Sequence, residues 1–278
     1  MTDARPALFD FKAVDMRRQR ARRIGGDVFL EQAAAEGVLE RLSTVKRRFK
    51  TAMALDVGER AFPIIEKSAD GWAFATLGER ESVPLKNEKF DLIVSVLALQ
   101  AVNDLPGVLV QIRRALNPDG LFLAALFGGA TLTELRESFA AAEIQTRGGI
   151  SPRVSPFADV RDMGGLLQRA GFALAVADVE RLTARYGDFS ALGCDLRAHG
   201  LTNVLRDRSR KFLRRDTLAA LKAHYRAHHA AWEKLNATFE IIFLTGWAPD
   251  ASQQQPLKPG SARTRLAEAL GTVEHKAD

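Results

Sequence analysis

Residues Phe90–Ala124 read FDLIVSVLALQAVNDLPGVLVQIRRALNPDGLFLA, and this stretch decides the fold. Phe90–Leu97 is an apolar run with β-branched Ile93, Val94 and Val96, preceded by charge. A run without polar alternation fits a strand buried on both faces, as in a parallel sheet. Leu105, Leu109, Ile112 and Leu116 then fall on one helix face. Pro106 sits near the helix start, where its missing N–H costs nothing. Asn117-Pro118-Asp119-Gly120 stops the helix and turns the chain into a second apolar strand, Leu121–Leu126. Strand, helix and strand at this length predict a βαβ crossover, which is right-handed as a rule.

Working outward, Ala52–Val57 reads as the first strand of the sheet and Trp72–Leu77 as the next candidate. Asp15–Leu42 holds two helical stretches split at Gly25-Gly26, and Met1–Phe11 reads as a loose arm. Asp159, with Asp162 three residues on, opens a helix that ends at Gly171, and Phe172–Val179 follows as a strand. Tyr186–Leu235 is polar, charged and largely helical in pattern, and Thr238–Leu244 returns as the last strand, antiparallel to its neighbour. Pro249–Gly260 reads as an extended loop or tail. The expected division is an N-terminal arm with helices (1–50), a sheet core (51–183), a helical segment (184–236) and a last strand with a tail (237–278). The fold class is α/β: a doubly wound, mostly parallel sheet with a helical insertion.

At 278 residues the chain is long enough for a sizeable core, and its hydrophobic content of 46% against 27% charge is that of a globular protein. No apolar run has the length of a membrane span, and the N-terminus lacks the apolar segment of a secretory signal. The single cysteine, Cys194, excludes an internal disulfide and a thiolate metal cluster, and fits a reducing cytoplasm. The net charge of +6 is concentrated in MRRQRARR (Met16–Arg23), KRRFK (Lys46–Lys50) and RDRSRKFLRR (Arg206–Arg215). Such runs grip phosphate or an acidic partner, or are simply solvated helix faces. The first run has no interleaved aromatics, which argues against nucleic-acid stacking. His224 and His228 lie one helical turn apart, but no Glu completes an HExxH motif and no third ligand is evident, so no metal site is expected.

Several segments resemble class I S-adenosylmethionine-dependent methyltransferases. The Phe-Asp strand and the Pro-Asp-Gly turn are shared with the whole superfamily. Leu105–Phe139 (LPGVLVQIRRALNPDGLFLAALFGGATLTELRESF), Ser151–Thr183 (SPRVSPFADVRDMGGLLQRAGFALAVADVERLT) and Phe239–Ala262 (FEIIFLTGWAPDASQQQPLKPGSA) are similar to one branch. That branch holds bacterial proteins similar to mitochondrial complex I assembly factor 5, and is related to the malonyl-carrier-protein methyltransferase of biotin synthesis. The resemblance covers the chain from about Arg17 and implies a Rossmann-like sheet, with the helical segment 184–236 as a lid. It implies methyl transfer to a protein or carrier-bound substrate. The alternative is a non-catalytic assembly factor or scaffold with a complex I subunit as partner. Arginine hydroxylation is also linked to the branch.

The resemblance also exposes departures. The family places a glycine-rich turn after the first strand, where glycines let the backbone approach the cofactor. Here Leu55-Asp56-Val57-Gly58-Glu59-Arg60-Ala61-Phe62 keeps only the first glycine, Gly58; Arg60 and Phe62 stand where two others would be. Gly58 to Phe90 is also shorter than the family implies. It lacks most of a helix and the second strand whose terminal Asp or Glu holds the ribose hydroxyls; Glu66 and Asp70 are the nearest substitutes. These losses lead to an expectation of weak or absent S-adenosylmethionine binding. The residues that match cofactor positions are Asp56, Gly58, Glu79, Ser95 and Leu97. Asp56 stands near the methionine amino group in the family, or serves here as a turn cap. Glu79 aligns with the acid at the adenine amino group, or is a surface carboxylate in GERE. Ser95 and Leu97 wall the cofactor, or Leu97, like Leu99, is core. Relatives carry His-Trp where this chain has Gln100-Ala101. Gln100, Asn103, Tyr186, Arg197 and His199 are the candidate substrate- or partner-facing residues, the last three from YGDFSALGCDLRAHGLTN, against a reading as helix capping and packing.

Overall fold

The computed structural model describes residues 7–26, 28–78, 81–84, 88–254 and 271. Helices α1 (Phe11–Ile24) and α2 (Phe29–Ser43) precede strand β1 (Phe49–Leu55). A single helical turn, α3 (Phe62–Ile65), and a 3-10 turn lead into β2 (Ala69–Ala75). Strand β3 (Phe90–Val96), helix α4 (Leu105–Ala115) and strand β4 (Leu116–Phe127) form the expected crossover. Then come α5 (Thr133–Arg147), α6 (Val160–Arg169), β5 (Ala173–Tyr186), α7 (Phe189–Ala198), α8 (Arg215–His229), the short β6 (Ala230–Ala231) and β7 (Lys234–Trp247).

The sheet runs β2-β1-β3-β4-β7-β5, with β6 paired to β7. The first four strands are mutually parallel, and β7 is antiparallel to both β4 and β5. Strand β3 is buried along nearly its whole length because both faces are covered. Leu92, Val94 and Val96 pack with Ala34, Val38, Leu42 and Ile65 of α2 and α3. Ile93 packs on the other side with Leu109 and Ile112 of α4 and Met163 and Leu167 of α6. The doubly wound architecture therefore follows from two apolar layers on one strand. A third cluster, with Leu135, Leu192, Tyr225 and Phe239, joins α5, α7 and α8 to the far end of β7.

Asp91 of the Phe-Asp pair has a structural job. It accepts from the backbone N–H of Lys50 and Thr51 at 3.2 and 3.1 Å and from Asn117 Nδ2 at 2.9 Å, tying together the starts of β1, β3 and β4. Burial alone would raise its proton affinity, but hydrogen bonds from Asn117, Thr51 and Lys50 outweigh it and hold the carboxyl below its ordinary value. The Pro-Asp-Gly turn bulges out of β4: Phe90 pairs with Leu116, yet Leu92 pairs with Leu121. A Cβ on Gly120 would stand 2.8 Å from the Asn117 carbonyl and 3.0 Å from that of Phe90, so only glycine fits.

Four expectations need correction. The first strand starts at Phe49 and ends at Leu55, not Ala52–Val57. The second is Ala69–Ala75 rather than Trp72–Leu77, and it pairs in parallel with β1, so a strand does occupy the place thought missing. What is shortened is the helix before it, reduced to α3. Finally, the described part of the N-terminal arm is anchored: Phe9 is buried and bridges Leu205, and Asp10 caps α1.

Candidate functional site

Parallel strands end their ligand-binding edge where the backbone turns away at the carboxyl end. In this chain that edge carries a cavity of about 370 Å3. It is lined by Ala54 of β1 with Asp56, Val57 and Gly58 after it, by Phe74–Thr76 at the end of β2, and by Val96 of β3 with Leu97, Ala98 and Gln100 after it. Helix α1 contributes Arg18, Ala21 and Arg22, and α2 contributes Glu31. The segment that follows α7, from His199 to Thr202, closes the far side.

The two strand ends are backbone exceptions. Asp56 has φ 51° and Leu97 φ 48°, both left-handed. Asp tolerates this region; for Leu it is costly, and such conformations gather at ligand sites. The left-handed residue after β1 is therefore Asp56, whereas Gly58, Arg60 and Phe62 all keep ordinary φ. Arg60 and Phe62, which stand where the family has glycines, thus take a backbone open to any residue. Phe62 also stays out of the cavity, packing edge-on against Trp72 and Phe74 at 5.4 and 4.7 Å between centroids. Arg60 lines the cavity and donates to the Gly26 carbonyl, pinning the α1–α2 connection.

Among the charged residues of the cavity, Arg18 and Asp56 lie within ion-pair distance of each other. The Asp56 side chain is only 7% exposed; it accepts from the Leu77 N–H at 3.3 Å and lies 3.6 Å from Arg18 Nη1. Arg18 Nη2 also donates to the Ala98 carbonyl at 3.0 Å, so one guanidinium bridges the ends of β1 and β3. Glu31 sits directly over Gly58: a Cβ there would come within 1.7 Å of Glu31 Oε1. Burial raises the proton affinity of Glu31, opposed by the Ala61 backbone N–H and by Arg60 and Arg22. Gln100 Nε2 donates to the Leu97 carbonyl at 2.7 Å, while its Oε1 is buried with no donor among the described residues. His199 Nε2 lies 3.5 Å from Asp195 Oδ1, and its ring meets Phe29 edge-on at 5.2 Å.

Of the residues singled out in the sequence, Asp56, Gly58, Leu97, Gln100 and His199 meet around this cavity. Ser95 is fully buried and does not line it, with no hydrogen bond to Oγ among the described residues. Glu79 lies outside the described residues. Asn103 stands apart from the cavity, exchanging hydrogen bonds with the backbone of Phe9 like a strand neighbour, at 2.8 and 3.3 Å. Tyr186 donates to Asp195, and burial, then this bond, raises its proton affinity. Arg197 is exposed on α7. Arg18 and Glu31 were missed by sequence reasoning. Arg18 lay in a basic run that reads as a solvated face, and Glu31 in a helix with no motif.

The family model for a methyltransferase domain matches residues 35–124. The chain is 34% identical over 264 residues to the mitochondrial arginine-hydroxylase NDUFAF5 of Danio rerio, covering 86% of this chain and 81% of that protein. With the human protein of the same name it shares 41% over 202 residues, covering 72% of this chain but only 58% of the relative. It is 36% identical over 210 residues to the malonyl-[acyl-carrier protein] O-methyltransferase of Xylella fastidiosa, covering 74% of this chain and 69% of that one. Among solved structures it superposes on the YcgJ protein of Bacillus subtilis with a TM-score of 0.50 at 12% identity, covering 78% of this chain and 98% of the other, a likeness of fold alone. The chain belongs to the class I methyltransferase family, in the branch that includes the NDUFAF5 arginine hydroxylases and the malonyl-[acyl-carrier protein] O-methyltransferases.

Proposed function

We propose that this chain is a member of that branch that acts on a protein or carrier-bound partner and binds S-adenosylmethionine weakly. The observation that carries the reading is the Arg18–Asp56 contact: a cation of the chain itself stands at the carboxylate where the family holds the cofactor's amino group. Two further features support it. The carboxyl end of β2 is Ala75-Thr76-Leu77, so no acid there takes the ribose hydroxyls. Glu31 fills the space over Gly58 that the family leaves for close approach of the cofactor. The cavity volume suits a small ligand, and the Arg18 contact at Asp56 with Ala75-Thr76-Leu77 at the end of β2 supports weak rather than tight binding of the cofactor.

The same observations favour a second reading over catalysis: a non-catalytic assembly factor, which keeps the fold and uses its surface. A complex I subunit is the partner that the family resemblance suggests. Calorimetric titration with S-adenosylmethionine tests the proposal. A Kd of 10 μM is worth about −7 kcal/mol. Losing the ribose bonds and the close backbone approach removes on the order of 1–3 kcal/mol each, which places the expected Kd near the millimolar range. Binding at ~10 μM or tighter, or copurification with the cofactor, overturns the weak-site reading and returns the chain to the catalytic members of the branch.

A further inference from the structure

Helix α1 separates two surfaces. Arg18, Ala21 and Arg22 face the cavity described above, whereas Met16, Arg17, Gln19, Arg20, Arg23 and Ile24 line a second, open concavity of about 450 Å3 on its outer side. None of these six residues belongs to the first cavity, so this surface stands or falls apart from the cofactor reading.

Its charge is unbalanced. Among the described residues no carboxylate lies within ion-pair distance of Arg17, Arg20, Arg23 or the nearby Arg197. The one acidic side chain within α1, Asp15, accepts instead from Gln19 Nε2 at 2.8 Å. Arg20 spends one N–H on a neutral group, Thr202 Oγ1 at 2.8 Å. The Nε of both Arg17 and Arg20 is shielded from solvent and makes no hydrogen bond. Burial lowers the proton affinity of Arg20, and the charges of Arg17 and Arg197 lower it further. Among the described residues this cluster of cations meets no anion. Guanidinium forks are suited to bidentate carboxylates.

We propose that the outer face of α1, together with Arg197, is the docking site for an acidic segment of a protein partner. The concavity ends in aliphatic side chains, Met16 and Ile24, which are 55% and 51% exposed. From Met16 to Ile24 the helix rises about 12 Å, the length of two turns of a partner helix that carries carboxylates between apolar residues. Among the described residues no aromatic side chain lines it on which a nucleic-acid base would stack.

The test is fluorescence anisotropy with a labelled amphipathic Glu/Leu peptide of about 20 residues, long enough to form a helix. The expected result is saturable binding at low salt that weakens as salt rises. Replacing Arg17→Gln and Arg23→Gln together should weaken it roughly tenfold or more. Arg17→Lys with Arg23→Lys, which keeps the charge and loses the fork, should fall between. Arg210→Gln with Lys211→Gln, in a different basic run, should bind as the parent does. Thermal melting of each variant checks that it is folded. Absence of saturable peptide binding overturns the proposal, as does equal binding by the folded Gln variant. Tighter binding of a single-stranded oligonucleotide or of phosphatidylserine vesicles through the same arginines overturns the assignment to a protein partner.

Discussion

At the residue scale, the cavity is governed by two side chains that no motif marks. Arg18 holds Asp56 and the Ala98 carbonyl at once. Arg18→Ala leaves a nearly buried carboxylate without its cation, and the expected cost is about 1–2 kcal/mol, less than for a fully buried pair because the guanidinium is partly solvated. The same variant frees the carboxylate, so calorimetry should show tighter S-adenosylmethionine binding despite a lower melting temperature. Unchanged affinity would show that Arg18 does not compete with the ligand. Glu31 behaves oppositely. Its folded proton affinity is raised, so the ionised form is a cost to the fold at neutral pH, relieved as pH falls through the raised value toward the unfolded one. Glu31→Gln should therefore raise the melting temperature at neutral pH by roughly 2 °C, corresponding to less than about 1 kcal/mol. That gain should vanish in melts at acidic pH. Asp56, Gly58 and Gln100 were legible because they follow apolar strands, and the end of a parallel strand is a position with meaning. Arg18 and Glu31 were not, because helix faces announce burial by apolar spacing and both are charged.

At the scale of elements, β3, α4 and β4 were legible because apolar runs and breakers alternate sharply there. Strand β1 begins earlier than its sequence suggests because Phe49 is buried while its neighbours Arg48 and Lys50 are exposed. Strand β2 was misplaced for a related reason: it lies at the sheet edge, where Asp70 and Gly71 are tolerated and the apolar pattern is diluted. Packing of α2 on the sheet shows a constraint that composition hides. A Cβ on Gly37 would meet the Phe243 ring of β7 at 2.4 Å, and Arg41 of the same helix covers that ring from 3.6 Å. Gly37→Ala raises helix propensity, yet overpacking should win. The expected loss is about 1–3 kcal/mol, read as a lower urea midpoint with unchanged slope. A neutral or stabilising result would mean that α2 shifts freely on the sheet.

At the scale of the whole molecule, the region after β5 packs across the carboxyl edge through α7 and the residues that follow it, while Arg206–Arg214 has no helix or strand beyond a bridge at Leu205. That stretch is rich in arginine and exposes Phe212 completely. Limited trypsin digestion should cut there first and leave β3 to β4 intact; early cleavage within Phe90–Phe127 would contradict the division into a sheet core and a helical lid. No helix among the described residues is long and apolar enough to cross a membrane.

The edge position of β2 has one more consequence. Strand β2 is the last on its side, so its outer N–H and C=O groups meet no neighbouring strand among the described residues. Phe74 near its end is 65% exposed. A bare rim of this kind is a template, and a strand supplied by another chain would lengthen the sheet through main-chain pairing alone. The Arg48–Asp70 ion pair at 2.9 Å places charge on that rim, one of the features by which edge strands resist such pairing.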